Sequence, residues 1–270
     1  MKIKNKNLRL SEYNSLSKAI KVHPWQIISL VGGGGKTTIM FALAKELALN
    51  NESVITTTTT RILEPEPLQT EFLIIQENER KTIELLNQNL KKYKRVTLVS
   101  NKSTSGKLTG ISPLLVDKLA RLKCAPFIIV EADGAAQKPL KAPNATEPVI
   151  PSLTSLVIAV IGIDALGSRL TEENVFRAEI ASRLLNLPMG ATISPKSIAR
   201  LLLGNQGITR GTPAQARIVA FINKVDLEKD FPRAKKLASE ILEIGYSRIE
   251  RVVMGEADKP GSSLRVMFQS

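Results

Sequence analysis

The chain has 270 residues, of which 43% are hydrophobic and 23% charged; this composition is typical of a folded globular protein and excludes a fibrous or largely disordered one. Lysine and arginine number 38 against 25 aspartates and glutamates, so the formal net charge is +13 and polyanions are the partners to expect. Because only 4% of the residues are aromatic, few side chains are available to stack on nucleic-acid bases. We therefore expect phosphorylated small molecules ahead of nucleic acid, and interpret most basic residues as solvated surface.

The sequence also limits the compartment and the chemistry. No apolar run approaches the roughly 18 residues of a membrane helix, and the basic start MKIKNKNLRL is not followed by an apolar segment, so we expect a cytoplasmic protein without a membrane partner. One cysteine, Cys124, and one histidine, His23, exclude a zinc or iron–sulfur ligand set and a Cys–His nucleophile pair. A bound metal is expected to be a hard, oxygen-liganded ion such as Mg²⁺.

Strand-like and helix-like segments alternate along nearly the whole chain. The first clear strand, 26–31, stops at four glycines, and an amphipathic helix, 36–49, follows at once. The further predicted strands are 53–57, 72–75, 96–100, 127–131, 156–161, 217–222 and 251–254. The further predicted helices are 79–92, 113–122, 171–187, 195–203 and 232–243.

Strands that are apolar on both faces and separated by helices predict a mainly parallel sheet covered on both sides. The predicted fold is therefore α/β, with three layers. No repeat and no Pro-, Gly- or Ser-rich linker divides the chain, so residues 1–270 are predicted to form a single domain. The stretch 134–151, with four prolines, is predicted as a long ordered loop or lid, and the polar stretch 101–110 as a mobile loop.

The strongest local signal is a glycine run at the end of the first strand. Glycines allow positive φ angles and let N–H groups point at anionic oxygens, and the following helix adds its dipole. Since residue 30 is leucine where the full motif has its first glycine, this is a shortened phosphate loop; a turn without a ligand is the alternative. In such a loop the lysine contacts the β- and γ-phosphates and the first threonine binds Mg²⁺. The predicted phosphate-binding residues are Gly32, Gly33, Gly34, Gly35, Lys36, Thr37 and Thr38. With this loop, the predicted three-layer α/β fold is of the P-loop NTPase type, and the single domain of residues 1–270 is predicted to bind a nucleotide.

A second signal is the acidic pair at the end of the predicted strand 127–131. Glu131 and Asp133 alternate, so both project from one side, at the sheet edge where open α/β proteins bind ligands. Asp133 is predicted to hold Mg²⁺ together with Thr37, and either carboxylate could orient an attacking water. Lys36, Glu131 and Asp133 are thus the predicted catalytic residues. The alternative is that the two acids only cap a loop.

A third signal, Asn-Lys-x-Asp, follows the predicted strand 217–222. The Asp226 carboxylate can accept from the guanine N1–H and exocyclic amine, a pattern that adenine does not offer. Asn223 is expected to reach the other base edge, and the Lys224 stem to pack over the ring. These residues predict guanine recognition, with a solvated loop as the alternative.

Five segments, in chain order, carry a resemblance to the selenium-dependent hydroxylase accessory protein family of YqeC-like P-loop proteins. They are ISLVGGGGKTT, VITTTTT, VEADGAAQKPLKAPNATEPVIP, GIDALG with the following EENVFRAE, and GTPAQARIVAFINKVD. They lie between residues 25 and 255, and the block from VEADG to EPVIP is the most specific. The resemblance implies a nucleotide-binding protein that helps to mature a selenium-dependent molybdenum hydroxylase, with that client enzyme or its maturation factors as partners.

At motif level the chain is also similar to the metallocentre-assembly GTPases. In that group a glutamate and a glycine three residues later, here Glu131 and Gly134, serve as the switch. The leading hypothesis is therefore a slow, Mg²⁺-dependent nucleoside triphosphatase with GTP preferred over ATP. A ligase or transferase that uses ATP or GTP on an anionic cofactor precursor is the first alternative, and a nucleic-acid-binding NTPase the second.

Overall fold

Strands and helices alternate in the computed structural model, which describes residues 8–104, 106–245, 247–259 and 263–269. The strands are β1 (Leu8–Tyr13), β2 (Gln26–Gly32), β3 (Val54–Thr58), β4 (Arg61–Ile62), β5 (Phe72–Ile75), β6 (Arg95–Val99), β7 (Asn101–Lys102), β8 (Leu108–Thr109), β9 (Phe127–Glu131), β10 (Leu140–Lys141), β11 (Leu156–Gly162), β12 (Val175–Phe176), β13 (Arg217–Asn223), β14 (Ile249–Gly255) and β15 (Leu264–Gln269). The helices are α1 (Leu16–Ile20), α2 (Lys36–Leu49), α3 (Glu79–Asn89), α4 (Pro113–Arg121), α5 (Ala178–Leu185), α6 (Pro195–Leu203) and α7 (Phe231–Ile244), with a 3-10 turn at Ile163–Ala165.

Ten of these strands form one central sheet, in the order β1-β15-β14-β13-β11-β2-β9-β3-β6-β5. The strands from β14 to β5 are parallel, and β15 and β1 are added antiparallel at one edge. Two small sheets, β10-β12 and β4-β8-β7, lie outside it. The predicted mainly parallel sheet is confirmed.

Side chains of the central strands pack alternately on two faces. In β11, Ala159 packs with α5, α6 and α7, whereas Ile158 packs with α1 and α2. Ile27 and Val31 share a face of β2; Ile27 packs in the cluster that contains α3 and α4, and Val31 packs in the cluster that contains α5–α7. Helices α3 and α4 therefore lie on the same face of the sheet as α5–α7. Helices thus cover both faces of the sheet, as the unbroken apolar strands predict, and the three-layer α/β fold is confirmed.

The strand register brings four chain segments to one edge of the sheet. β2 lies between β9 and β11, with Leu30 opposite Glu131 and Gly32 opposite Val160. One strand further, Gly162 at the end of β11 lies opposite the last residue of β13. Because the carboxyl ends of parallel strands meet at the same edge, the predicted phosphate loop, acidic pair and Asn-Lys-x-Asp segment are neighbours in space.

The predicted helix 171–187 is wrong in its first half. Val175 and Phe176 form β12, which pairs in parallel with β10, and Arg177 has a φ of +63°, a left-handed conformation that no α-helix contains. The helix begins only at Ala178, whose N–H donates to the Glu172 carboxylate at 2.7 Å. The side chain that caps the start of α5 thus comes from six residues earlier in the chain, and its position depends on the intervening turn.

The polar stretch 101–110 is also more ordered than predicted. Its ends form β7 and β8, which pair antiparallel, and β8 pairs with β4; residue 105 lies outside the described residues. The stretch 134–151 contains β10, whose two residues are completely buried. Strands β1 and β15 and the short helix α1 have no counterpart in the sequence prediction.

The longest of the described helices, α2 and α7, have 14 residues each. None of the helices in the described part of the chain has the combination of length and apolar character needed to span a bilayer.

Candidate functional site

The turn of residues 32–35 between β2 and α2, here called the glycine loop, has a backbone that few other residues could adopt. Gly32, Gly34 and Gly35 have φ angles of +100°, +77° and +113°. A Cβ on Gly34 would also overlap the backbone nitrogen of Gly162 at the end of β11. Conformation and close packing therefore both require glycine.

Part of the hydrogen-bonding capacity of the glycine loop is used within the protein. The N–H of Gly33 donates to the Val160 carbonyl at 3.0 Å, and the N–H of Gly34 donates to the Lys138 carbonyl at 2.9 Å. Residues 36–38, the first turn of α2, present N–H groups that have no intrahelical acceptor. The capacity of this turn to bind an anion therefore lies mainly at the start of α2.

Lys36 points into the protein, toward one carbonyl and two carboxylates. Its Nζ donates to the Gly32 carbonyl at 2.7 Å and lies 3.1 Å from Asp133 Oδ1 and 3.8 Å from Glu131 Oε1. Burial alone would lower the pKa of Lys36, but the charges of Asp133 and Glu131 outweigh it and hold the pKa above the ordinary value. The side chain, only 3% exposed, is therefore a buried cation at the base of the glycine loop.

Glu131 connects the end of β9 to the first turn of α2. Its Oε2 accepts a hydrogen bond from Thr37 Oγ1 at 2.6 Å. Burial raises the pKa of Glu131 above the ordinary value, and the charge of Asp133 adds to this, although Lys36 and the Thr37 hydroxyl act in the opposite direction. A buried carboxylate with a raised pKa beside a lysine is an arrangement found often at functional sites.

Asp133 is shared between two buried lysines. Its Oδ1 lies beside Lys36, and its Oδ2 accepts from the Gly32 N–H at 3.1 Å and lies 3.1 Å from Lys141 Nζ. Lys141, on β10, is completely buried, and its Nζ also donates to the Gly134 carbonyl at 2.6 Å. The sequence analysis missed Lys141; its position inside the short apolar run PLKA, within the most specific block of the resemblance, is the signal that could have indicated it.

The charges continue outward from Lys141. Glu147 Oε2 lies 3.0 Å from Lys141 Nζ and 2.7 Å from Arg177 Nη1, and the Arg177 guanidinium lies 4.5 Å from the centroid of the Phe176 ring. Burial would raise the pKa of Glu147, but Lys141 and Arg177 outweigh it and lower the pKa. Glu147 and Arg177 both lie in segments of the resemblance, EPVIP and EENVFRAE, but no motif indicated their pairing, because it depends on the fold of segments 30 residues apart. We call the alternating series Lys36, Asp133, Lys141, Glu147 and Arg177 the ion-pair chain.

A cavity of about 1020 Å³ opens in front of the glycine loop. Its inner wall contains Lys36, Thr37, Glu131 and Arg177, whereas Asp133 lies behind this wall. The remainder of the wall is formed by Gly34, Gly35, Thr38, residues 60–64, Glu66, Gln69, Lys107, Gly134 to Lys138, Glu147, Phe176 and Lys224. A cavity of this size, with buried charges at its base, has the features of a small-molecule site.

The Asn-Lys-x-Asp segment reaches this site in part. Asn223 is buried, and its Nδ2 donates to the Gly34 carbonyl at 2.9 Å, so it attaches β13 to the glycine loop. Lys224 lines the cavity and its Nζ donates to Asp164 Oδ2 at 2.8 Å. Asp226 lies outside the cavity wall; backbone hydrogen bonds from Glu228 and Lys229 lower its pKa.

The sequence predictions thus converge in space to different degrees. The predicted residues that meet around the base of the cavity are Gly32, Gly33, Gly34, Gly35, Lys36, Thr37, Thr38, Glu131, Asp133 and Asn223. Lys224 stands at the rim, and Asp226 is further away.

The fold and this site define an open α/β protein with a charged cavity at the carboxyl ends of its parallel strands. The model of the family described as "YqeC protein" matches residues 28–179. A relative from Escherichia coli (strain K12), named "Uncharacterized protein YqeC", is 33% identical over 198 residues, which are 73% of this chain and 75% of the relative. The chain belongs to the YqeC family.

Proposed function

We propose that this chain is a nucleoside triphosphate-binding accessory protein that hydrolyses its nucleotide slowly, with Mg²⁺ and with GTP preferred over ATP. The observation that carries the proposal is the cluster of Lys36, Thr37 and Glu131 at the first turn of α2, on the floor of the cavity. A lysine, a hydroxyl and a carboxylate at a helix N-terminus are the groups with which proteins bind a triphosphate and its metal.

Bound phosphates would change the partners of Lys36. The lysine now donates to the Gly32 carbonyl and faces two carboxylates, and a terminal phosphate is a stronger acceptor for its ammonium group. Because Lys141 also neutralises Asp133, that carboxylate keeps a partner when Lys36 turns toward the nucleotide. The ion-pair chain therefore suits a site that accepts an anion without leaving a buried charge unpaired.

The residues fit a Mg²⁺ site completed by the nucleotide. No group of three or more acidic, histidine or cysteine side chains suited to a metal occurs among the described residues, and Mg²⁺ is usually held by one or two protein oxygens with substrate phosphates. Thr37 and Glu131, joined by a hydrogen bond, offer such oxygens, whereas Asp133 is engaged by Gly32 and two lysines. Thr37 with Glu131 is thus the better donor pair, and Asp133 would act through water. A bound Mg²⁺ would stabilise the negative charge that develops on the phosphate oxygens of the leaving group.

The preference for guanine rests on the Asn-Lys-x-Asp segment. Asn223 already contacts the glycine loop, and Lys224 lines the cavity rim, which supports a base next to these residues. Asp226 Oδ1 caps the following turn, and among the described residues its Oδ2 has only a 3.9 Å contact with Lys229 Nζ. That oxygen would have to accept from the base, and this makes Asp226 the residue to test.

The cellular role is inferred from the resemblance. A slow nucleotide switch would act in the maturation of a selenium-dependent molybdenum hydroxylase, with the client enzyme or another maturation factor as partner. Slow intrinsic turnover agrees with this role, because such switches await a partner that completes the site.

Equilibrium binding measurements with GTP and with ATP, in the presence of Mg²⁺, test this proposal. They compare the wild type with the variants Lys36→Ala and Asp226→Asn. We expect the wild type to bind GTP at least about tenfold more tightly than ATP, which corresponds to about 1.4 kcal/mol. Asp226→Asn should lose that preference, and Lys36→Ala should lose binding of both nucleotides. Lys235→Ala, which removes an exposed charge on α7, is the matched control. Unchanged affinity in Lys36→Ala would refute the site assignment, and equal affinity of the wild type for ATP would refute the guanine preference.

A second candidate function is an ATP- or GTP-dependent ligase or transferase acting on an anionic cofactor precursor. The observation that favours it is the size of the cavity, about 1020 Å³, which extends well beyond the glycine loop. Nucleotide turnover that rises when candidate acceptors are added would support this candidate.

A further inference from the structure

The cavity is lined by a second set of cations, apart from the ion-pair chain. Arg61 follows β3, Lys107 directly precedes β8, and Lys138 lies in the segment after β9; all three line the cavity. Within the described residues, none of these three side chains makes a hydrogen bond or an ion pair. The proposed triphosphate site uses none of them.

The small sheet β4-β8-β7 places two of these cations side by side. Arg61 lies opposite Thr109 in the antiparallel pair of β4 and β8, and Lys107 precedes Thr109 by two residues. Lys107 directly precedes β8, so Arg61 and Lys107 lie at the same small sheet, and both line the cavity. Two unpaired cations on one cavity wall without an anion repel each other.

The third cation adjoins the glycine loop. The carbonyl of Lys138 accepts the hydrogen bond from the Gly34 N–H, and its side chain lines the cavity. Lys138 therefore adds a cation to the cavity wall next to the predicted triphosphate end. Together the three side chains extend the positive wall away from Lys36.

The acidic residues of this wall leave a positive balance. Glu64 pairs with Lys102, Glu147 with Lys141 and Arg177, and Glu131 faces Lys36. Glu66 is the acidic lining residue without an ion pair in the described part of the chain. Three unpaired cations thus face one unpaired carboxylate, a balance of two positive charges that matches a phosphomonoester dianion.

We propose that the outer half of the cavity binds a second substrate that carries a phosphate group, held by Arg61, Lys107 and Lys138, next to the terminal phosphate of the nucleotide. The proposal rests on the proposed function for the nucleotide, and it names the acceptor class for the transferase candidate. The cavity, about 1020 Å³, is at the upper end of the range of about 300–1,000 Å³ for single-ligand pockets, which leaves room for two ligands.

Calorimetric titration with inorganic phosphate, at constant ionic strength, tests the proposal. The wild type is measured with and without GTP and Mg²⁺, and Arg61→Gln/Lys107→Gln is compared with Lys235→Gln/Lys236→Gln, which removes the same charge from the exposed side of α7. We expect saturable phosphate binding to the nucleotide-loaded wild type, weakened at least about tenfold in the first variant and unchanged in the second. The nucleotide affinity of both variants should stay within about twofold of the wild type.

Two further results separate this proposal from the nucleotide assignment. The Lys36→Ala variant has no working inner site. Phosphate binding that persists in this variant, and that depends on Arg61 and Lys107, supports the outer site even if no nucleotide binds the wild type. Absence of saturable phosphate binding in both the loaded wild type and Lys36→Ala would overturn the outer site. Equal phosphate affinity in the two double variants would overturn it as well, whatever the nucleotide titrations give.

Discussion

Lys141 is a completely buried lysine whose charge is balanced on every side that the structure describes. Its Nζ contacts Asp133, Glu147 and the Gly134 carbonyl, all within about 3.1 Å. Removing one member of a buried ionic group leaves an uncompensated buried charge. This lowers the free energy of unfolding by more than the ion pair itself contributes to it. Lys141 therefore holds the segment after β9 and the acidic pair in place.

We predict that Lys141→Met lowers the free energy of unfolding by about 3–5 kcal/mol, because Asp133 and Glu147 lose their shared cation. Lys138→Met, three residues away on the cavity wall, should change it by less than about 1 kcal/mol. Urea denaturation at neutral pH measures both. A change below about 1 kcal/mol for Lys141→Met would contradict the structural role given to this lysine.

Glu46 on α2 provides a second residue-scale prediction, for the dependence of stability on pH. It accepts hydrogen bonds from the N–H groups of Leu16 and Ser17 at the start of α1, at 2.6 and 2.9 Å, and from the Ser17 hydroxyl. Burial would raise the pKa of Glu46, but these hydrogen bonds outweigh it and lower the pKa below the ordinary value of 4.5. The folded state therefore favours the ionised carboxylate.

A lowered folded-state pKa means that the stabilisation is present above the unfolded-state pKa and is lost as the pH falls through the folded-state value. Glu46→Gln should reduce the free energy of unfolding by about 1–2 kcal/mol at neutral pH. The difference between wild type and variant should shrink below a pH of about 4.5. Chemical denaturation at several pH values measures it, with the exposed Glu243→Gln as control. A difference that grows on acidification would contradict the assigned contacts.

At the scale of elements, the junction of β2 and α2 is the most constrained connection near the site. Its glycines need both positive φ angles and close contact with the ends of β11 and β13. Helix α2 begins and ends where the amphipathic pattern predicts, Lys36–Leu49, because the glycines cannot extend it and Lys36 is the first residue with helical geometry. At the start of α4, Ser112 caps the helix, and its Oγ accepts from the Leu115 N–H at 3.1 Å.

The two requirements on glycine can be separated by experiment. Gly211 has a φ of +70°, close to the +77° of Gly34, but a Cβ there would meet no atom within 4 Å. Gly211→Ala should lower the free energy of unfolding by about 1 kcal/mol, because only the left-handed backbone disfavours alanine there. Gly34→Ala should cost more than about 3 kcal/mol, because its Cβ also overlaps the end of β11. Thermal or urea unfolding compares the two, and equal costs would show that packing at Gly34 is not limiting.

At the scale of the whole molecule, the net charge of +13 is spread over the surface and partly paired. Arg217 and Arg251 pair with Glu250, and Arg177 pairs with Glu147. The buried cations Lys36 and Lys141 belong to the site. The charge that is left for a long-range field is therefore dispersed, and screening at physiological salt acts over about 8 Å.

We accordingly predict weak nucleic-acid binding. A fluorescently labelled single-stranded or duplex DNA should show a dissociation constant weaker than about 10⁻⁵ M at roughly 0.15 M salt, in the range of non-specific association. Anisotropy titrations at two salt concentrations measure this dissociation constant. Basic proteins of the size of lysozyme serve as a reference for DNA binding that results from charge alone. Micromolar or tighter binding with a steep salt dependence would bring back the nucleic-acid hypothesis.

The central layer of the fold could be predicted because its signals are local. Strands such as 127–131 and 217–222 are apolar on both faces, and that pattern indicates a covered parallel sheet wherever it occurs. The antiparallel strands β1 and β15 were not predicted, because their pairing joins the two ends of the described chain across more than 250 residues. The first half of the predicted helix 171–187 failed for a similar reason, since pairing with β10 overrides its helical periodicity.

The sequence by itself determined the three-layer α/β class, the glycine loop at the start of α2, and the placing of Glu131 and Asp133 at a strand end, since each depends on residues close together in the chain. Only the tertiary structure decided that Lys141, Glu147 and Arg177 complete the ion-pair chain, that Asn223 attaches to the glycine loop while Asp226 lies apart, and that Arg61 and Lys107 line the same cavity. Charges separated by tens of residues become partners only when burial excludes water and leaves them no other neighbours, and burial is a property of the whole packed molecule.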